Sequence, residues 1–408
     1  MCADIVPTIE KQAEAWLHGA VSDAVWSVFS LPTAKVIKID AADRGCGNKM
    51  SKSIEISVII PVYNGERYLK QTLNSVLRQS GPSLEVIFID DGSTDTSLSM
   101  LQRCAAGDSR IRVYTQKNRY AGVARNCGMK KARGEYIAFL DADDFYLEGA
   151  LEYLFKLAEK NRLDWVKGRF RCLDSSNGKQ YTTPFSTNSS IGWGKRKKVL
   201  NFRQMPERLL QTADVPWNGL YRRSFLEENN IMFNNLRCIN DHSFYIQCLL
   251  KAQRLMITDK IIVCYRVAQQ NSLVGRKAEH YAAQLDNYSI VRKLCTDIEP
   301  ELKQLILRQE INGILGWYER LLPQAAEPAA LKAQLRMFLQ SYDEAEVGEN
   351  YLQQFPFRSL YYGLRYETPP SGKRPGPAKR LLNCQKEHGL YYTLIQIKNR
   401  LERKHGAD

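Results

Sequence analysis

Six acids carry the chemical interest of this chain: Asp90 and Asp91, then Asp141, Asp143 and Asp144, and far downstream Asp241. The first five stand where strand-like runs end. Four carboxylates cannot crowd together unless cations neutralise them or some of them hold protons. Asp141 and Asp143 are two residues apart on an extended segment, so their side chains point the same way. That spacing suits a hard divalent cation that also takes phosphate oxygens, Mn²⁺ or Mg²⁺. Taken alone, D-x-D is a weak signal. At the end of a buried strand, facing Asp90 and Asp91, it is a strong one. Loop acids capping a helix that opens at Leu147 are the plain alternative, and that suits Asp144 better than Asp143.

The elements that must position these acids follow from hydrophobic periodicity. Ile56–Val62 is a near-continuous β-branched run, as in a strand buried on both faces. Glu66–Gln79 carries Tyr68, Leu69, Leu73, Val76 and Leu77 at helical spacing. Strands are expected at Leu84–Asp90, Ile111–Thr115 and Glu135–Asp141, and helices at Thr94–Cys104, Ala121–Ala132 and Leu147–Lys160. This β-α alternation argues an α/β fold, an open and mostly parallel sheet flanked by helices. Ligands of such sheets bind beyond the carboxyl ends of the strands. Pro61-Val62-Tyr63-Asn64-Gly65, Asp90-Asp91-Gly92-Ser93 and Asp141-Ala142-Asp143-Asp144 therefore gather on one edge. Strand one is not followed by G-x-G-x-x-G, and no G-x-x-x-x-G-K-[ST] is present. Both points argue against a dinucleotide dehydrogenase and a P-loop ATPase.

Four ordered segments then carry a resemblance: Ser57-Val58-Ile59-Ile60-Pro61-Val62-Tyr63-Asn64, Ile89-Asp90-Asp91-Gly92-Ser93-Thr94-Asp95, Ala124-Arg125-Asn126-Cys127-Gly128, and Gly134-Glu135 through Asp143-Asp144. Together they resemble glycosyltransferase family 2, of the bacterial cell-surface polysaccharide type. The resemblance is close over 56–160 and looser over 161–275. It implies the GT-A fold and inverting transfer of a sugar from a nucleotide-sugar donor, a UDP-sugar in the usual case. The acceptor would be a hydroxyl of a glycan or lipid-linked saccharide. By the same resemblance Pro61, Val62, Tyr63 and Glu66 line the nucleoside pocket, with Asp91 beside them, and Asp90 accepts from the base. Arg125 reaches the base or diphosphate, or is a helix-surface arginine. Asp141 lies by the ribose or metal, and Asp143 binds the metal. In the second half, Trp217 stacks on a sugar face or belongs to the core. Asn240-Asp241-His242 stands where many members have Glu-Asp, so Asp241 is the candidate general base, or else a helix N-cap, a place Asp favours. Asn240 is carried along as an acceptor-side candidate. His242 reads as helix surface or core. Tyr265-Arg266, with Asn271-Ser272, resembles a loop over the diphosphate. A non-catalytic nucleotide-sugar-binding protein of the same fold is the alternative, and a nucleotidyltransferase would want a Gly-rich basic loop that is missing.

The 408 residues are 44% hydrophobic and 25% charged, with a net charge of +14. A basic chain expects anionic company. No recognised nucleic-acid module is present, so nucleic acid is not an expected partner. The ten cysteines are scattered with no C-x-x-C pair, which reads as a reducing compartment. A cytoplasmic site follows, peripheral at the inner membrane face if the basic tail binds anionic lipid. Residues 351–408 hold 11 Lys/Arg against 4 acids. Tyr391–Lys404 reads as a basic amphipathic helix, either a solvated face or a contact with an anionic membrane surface. The expected organisation is 1–49 as an extension, either upstream of a natural start at Met50 or a genuine extra helix. A catalytic region follows at 50–275, with a nucleotide-sugar half at 50–160 and an acceptor half at 161–275. A helical region at 276–367 and a basic linker with its tail helix at 368–408 complete the chain.

Overall fold

The computed structural model describes residues 53–366, apart from 184–185, 187–191, 193–196, 268–276, 322–327, 342 and 353–356. The Met50 start, the basic tail and Asn271-Ser272 lie outside the described residues.

Strands β1 (Ile56–Val62), β2 (Leu84–Asp90), β3 (Ile111–Thr115) and β4 (Tyr136–Phe139) pair in parallel in the order β3-β2-β1-β4. Side chains alternate across the sheet with period two. Val58, Ile60 and Val62 therefore enter one core, with α1 (Glu66–Leu77), α2 (Ser97–Gly107) and α4 (Ala150–Asn161). Ile59, Ile87, Ile89 and Phe139 enter the other, with α3 (Tyr120–Lys131). The near-continuous apolar run of β1 is the mark of a strand covered on both faces. Helix α3 lies very close to β1: a Cβ on Gly128 would come 2.4 Å from Ile59 Cγ2.

Beyond β4 the sheet becomes mixed. β8 (Gly219–Arg222) pairs antiparallel with both β4 and β6 (Trp165–Asp174). β6 runs parallel to β9 (Leu255–Val267), and the short β5 (Phe145–Tyr146) pairs antiparallel with β9. Two-residue β7 (Gln180–Tyr181) pairs with β6. The parallel half is as expected. The antiparallel strand β8 is not, because four residues reading Gly-Leu-Tyr-Arg carry no periodicity to recognise. β4 and β5 are separated in the chain only by the segment Leu140–Asp144, yet three strands lie between them in the sheet. The sheet is therefore curled, and the Asp141–Asp144 turn leads from the central strand β4 to the edge strand β5.

Short α5 (Pro206–Leu210) and α6 (Arg223–Glu228) precede α7 (Asn240–Lys251), which covers the second core beside α3. Helices α8 (Lys277–Leu294) and α9 (Pro300–Leu321) add Val291, Leu302 and Ile306 to that same core, with Cys295 just after α8. They also build a third cluster with α10 (Pro328–Gln340), α11 (Glu349–Leu352) and α12 (Arg358–Arg365). The helical region is thus packed onto the second core rather than strung beside it. Among the described residues no helix is long and apolar enough to cross a membrane.

Candidate active site

The carboxyl edge of the parallel strands is organised by three loops. After β1, Asn64 takes a left-handed conformation (φ 52°), which Asn tolerates better than most residues. Its amide oxygen accepts from the backbone of Thr94 at 2.8 Å. Glu66 Oε2 accepts from the Thr96 hydroxyl at 2.6 Å, tying α1 to the start of α2. Tyr63 is half exposed at the rim, Pro61 is partly buried, and the Val62 side chain lies in the core. After β2, Asp90 is buried and accepts from the Ser93 backbone at 3.3 Å. Asp91 accepts from Gln116 Nε2 at 2.7 Å and from the Arg119 backbone at 2.9 Å, so it fastens the loop that leads from β3 into α3.

The turn after β4 carries three acids with unequal surroundings. Asp141 and Asp143 are partly exposed, and Asp144 is fully buried. Asp144 Oδ1 accepts from the Arg266 backbone at 2.8 Å, and its Oδ2 has no hydrogen-bond partner. Burial, then the charges of Asp143 and Asp141, push its carboxyl well above the usual range. Asp144 is therefore no helix cap: α4 starts at Ala150 behind Gly149, whose φ of 65° needs glycine's freedom, with no side-chain cap. These three carboxylates, one with an orphaned oxygen, are a hard all-oxygen donor set. They fit a divalent cation by their chemistry. Among the described residues, however, no group of three or more His, Cys, Asp or Glu side chains is gathered so as to hold a metal ion.

Arg125 is buried and far from a helix-surface arginine. Its guanidinium donates to Asp141 Oδ1 at 2.6 Å and to Asn240 Oδ1 at 2.9 Å, and lies 5.2 Å from the centre of the Phe233 ring. It thus joins the acid turn after β4 to the first residue of α7, which lies 115 positions beyond Arg125 in sequence. Gly122 makes the approach possible: a Cβ there would meet Asn234 O at 2.4 Å and Asn240 Cβ at 2.9 Å. The bridge also explains how Asn serves at 240, since accepting from Arg125 needs only an amide oxygen.

Asp241 follows in the first turn of α7, half-buried. It is not the N-cap; that position belongs to Ile239, whose side chain caps nothing. Burial, then the nearby charge of Asp214, push the Asp241 carboxyl up to about 6, while Arg125 and His242 pull it down. His242, read as helix surface or core, contacts Asp214 Oδ2 through Nδ1 at 2.7 Å and Glu310 Oε1 through Nε2 at 2.6 Å. Sequence reasoning missed Glu310, because nothing local marks a glutamate in α9 as reaching α7.

Two expected binding residues have other surroundings. Trp217 is buried, stacked on Tyr265 with centroids 5.1 Å apart and edge-on to Phe170, so the structure places it in the core. Arg266 lies 4.4 Å from the Tyr68 ring centre and 5.5 Å from that of Phe145, and its guanidinium donates to Gln71. It packs over the Asp144 turn, on the rim of the same edge.

A family model described as "Glycosyl transferase family 2" matches residues 57–229. The uncharacterized glycosyltransferase EpsJ of Bacillus subtilis is 33% identical over 217 residues, covering 52% of this chain and 60% of that protein. Glycosyltransferase GlyG of Streptococcus pneumoniae is 28% identical over 52% of this chain and 70% of its own length. Among solved structures, S. aureus TarS 1–349 in complex with UDP is 22% identical with a TM-score of 0.58, over 83% of this chain and 91% of that one. The same protein in complex with UDP-GlcNAc gives a TM-score of 0.59 at 21% identity. These likenesses extend the fold match through the helical region, and the architecture is that of the GT-A fold. Over residues 57–229 the chain is thus similar to glycosyltransferase family 2.

Proposed function

We propose that this protein is an inverting glycosyltransferase that moves a sugar from a nucleotide-sugar, a UDP-sugar, to a hydroxyl of a glycan or lipid-linked saccharide. The observation that carries the reading is the Asp141–Arg125–Asn240 bridge, which sets the D-x-D turn beside the first turn of α7 and hence beside Asp241. Asp90 accepts from the N–H of the base, with Tyr63 at the pocket's rim. Asp143, with Asp141, holds Mn²⁺ or Mg²⁺, which when bound offsets the charge of the departing diphosphate. Arg125 keeps Asp141 in place, and its buried charge sits where the donor's phosphates arrive.

Asp241 takes the proton of the attacking hydroxyl. As the new bond forms between that oxygen and the anomeric carbon, the bond from this carbon to the diphosphate oxygen breaks on the opposite face. The electron pair leaves with the diphosphate. A carboxyl raised to about 6 is still mostly ionised near neutral pH and is a stronger base than an ordinary aspartate. UDP and UDP-GlcNAc in the complexes of the similar TarS support a UDP-sugar as the first donor to try.

The test is a binding and turnover screen across UDP-, GDP- and TDP-sugars with Mn²⁺, with and without saccharide acceptors. Turnover with a UDP-sugar is expected. Saturable binding with neither hydrolysis nor transfer would leave a binding protein instead. We further propose 50–275 as the catalytic region, at the cytoplasmic face of the membrane. The excess of basic residues in 351–408 supports contact with anionic lipid. Removing 368–408 should then weaken binding to anionic vesicles while leaving donor hydrolysis near wild type. Equal vesicle binding would return the tail to a solvated role.

A further inference from the structure

The start of α7 is poorly determined by its own sequence. Ile239, just before it, has φ 59°, a left-handed conformation that a β-branched residue strongly resists. No side chain caps the helix. Such a turn persists only where its surroundings hold it. Asn240 is held by Arg125. His242 is held from the other side.

The His242 ring meets a carboxylate at each nitrogen, Asp214 at 2.7 Å and Glu310 at 2.6 Å. A neutral imidazole has a single N–H and satisfies only one of them. Both contacts are met by the doubly protonated ring. Burial opposes that charge, but the two acids outweigh it and hold the imidazolium well above its usual range. The acids come from unrelated elements, Asp214 from the loop before β8 and Glu310 from the middle of α9. Asp214 is itself fixed. Lys167, fully buried in β6, donates to the carbonyl of Ala213 and, at 2.8 Å, to that of Val215. The carbonyls of the residues on either side of Asp214 are thereby held, and the side chain between them turns to His242.

We propose that His242 is a positioning residue: pinned between Asp214 and Glu310, it locks the first turn of α7, aims Asp241, and makes the helical region part of the active site. The inference rests on Asp241 being the base. The link is short, since the His242 backbone N–H donates to Asp241 Oδ1 at 3.0 Å. The charges facing His242 are Asp214 from its loop, Glu310 from α9 and Asp241 on its own helix, with Lys167 behind Asp214 and Arg125 beyond Asn240. Among these, Asp214 raises the proton affinity of Asp241, and the imidazolium lowers it. A neutral side chain at 242 leaves Asp241 facing the charge of Asp214 without the imidazolium.

The experiment follows the full chain carrying ¹³C-labelled aspartate, with the Asp241 carboxyl assigned from Asp241→Asn and titrated by NMR without donor. UDP release from UDP-GlcNAc with Mn²⁺ is measured alongside. His242→Gln should move the Asp241 titration to higher pH and lower kcat roughly 10- to 100-fold at an unchanged donor KM. Glu310→Ala should also lower kcat, and Glu310→Gln, which still accepts from Nε2, should restore most of it. A purely structural role would leave the titration where it is in wild type; an unmoved titration in a folded His242→Gln protein overturns the proposal. If His242→Gln loses its cooperative melt, the Glu310 pair decides, and equal kcat for Ala and wild type overturns it. Wild-type turnover by Asp241→Asn would sink the base reading separately, with the titration still reporting on His242.

Discussion

Two buried carboxylates at opposite ends of the same sheet have opposite fates. Glu85 sits near the amino end of β2 and is saturated with donors. Ser57 Oγ lies at 2.7 Å, the Arg133 backbone at 2.8 Å, Arg112 at 2.9 Å and the Arg133 guanidinium at 2.7 Å. Burial pushes its carboxyl up, but these donors outweigh it and hold it below the usual range. Asp144, at the carboxyl end, is as deeply buried, has one backbone donor and an orphaned oxygen, and lies beside two more acids. Burial acts on both; only the partners differ. A satisfied buried acid is what a fold uses for itself, while an under-satisfied buried acid at the carboxyl edge of the parallel strands marks a candidate site for charge from outside. The contrast separates the structural end of the sheet from its chemical end without reference to any relative.

The largest expected effect lies at the chemical end. Removing a proton from an attacking hydroxyl is worth roughly 10²–10⁴ in rate. Asp241→Asn keeps the shape and should lower transfer by about that factor with donor affinity near wild type. In the wild type the acid limb of kcat should fall near pH 6, where the Asp241 carboxyl titrates. Full turnover by the Asn variant would remove Asp241 from the mechanism and direct attention to Asp214 or Glu228.

At the structural end, Glu85→Gln should leave donor binding intact and cost about 3 kcal/mol of stability, as expected when one partner of a buried charge network is lost. The sign with pH is fixed. Glu85 is held below its unfolded value, so its contribution is full above that value and is lost as pH falls through the folded one. Wild type and variant should therefore converge in melting temperature at acid pH. Parallel melting curves down to the lowest pH would show that Glu85 is not the charge that matters.

Asp143→Ala tests the other side of the comparison. It removes repulsion as well as a cation ligand, so the fold should survive while Mn²⁺-dependent nucleotide binding is lost. Affinity for UDP that ignores both EDTA and this substitution would sink the cation assignment.

The parallel half of the fold was legible because its strands are long, β-branched and separated by amphipathic helices, each signal independent of the rest. The acid edge was legible for the same reason: topology alone sends Asp90, Asp91 and Asp141 to one side. What escaped is of two kinds. β5, β7 and β8 are too short to show a period. Contacts such as Arg125–Asn240 and His242–Glu310 join residues 115 and 68 positions apart, and nothing local announces them. Lys167 left a faint trace, a lysine within Trp-Val-Lys-Gly-Arg-Phe whose neighbours read as buried strand. Asp144, for which a helix cap was the alternative reading, is a buried acid for a non-local reason: its backbone partner, on Arg266, is 122 residues away.

The smallest expected effect is the sharpest test of the contrast, because it has the sign opposite to that at Glu85. The Asp144 carboxyl is raised in the fold by burial and by Asp143 and Asp141. An acid whose folded value lies above its unfolded one destabilises the protein once pH passes the unfolded value, and it does no harm below it. Asn at 144 keeps an oxygen for the Arg266 N–H and carries no charge. In EDTA, Asp144→Asn should melt above wild type near neutral pH, and the two should meet at about pH 4, the ordinary range of an aspartate. Mn²⁺ should narrow the gap by neutralising Asp141 and Asp143 in the wild type. A variant that melts below wild type at every pH would mean that the buried charge is needed to hold the β9 backbone, and Asp144 would then belong with Glu85 on the structural side.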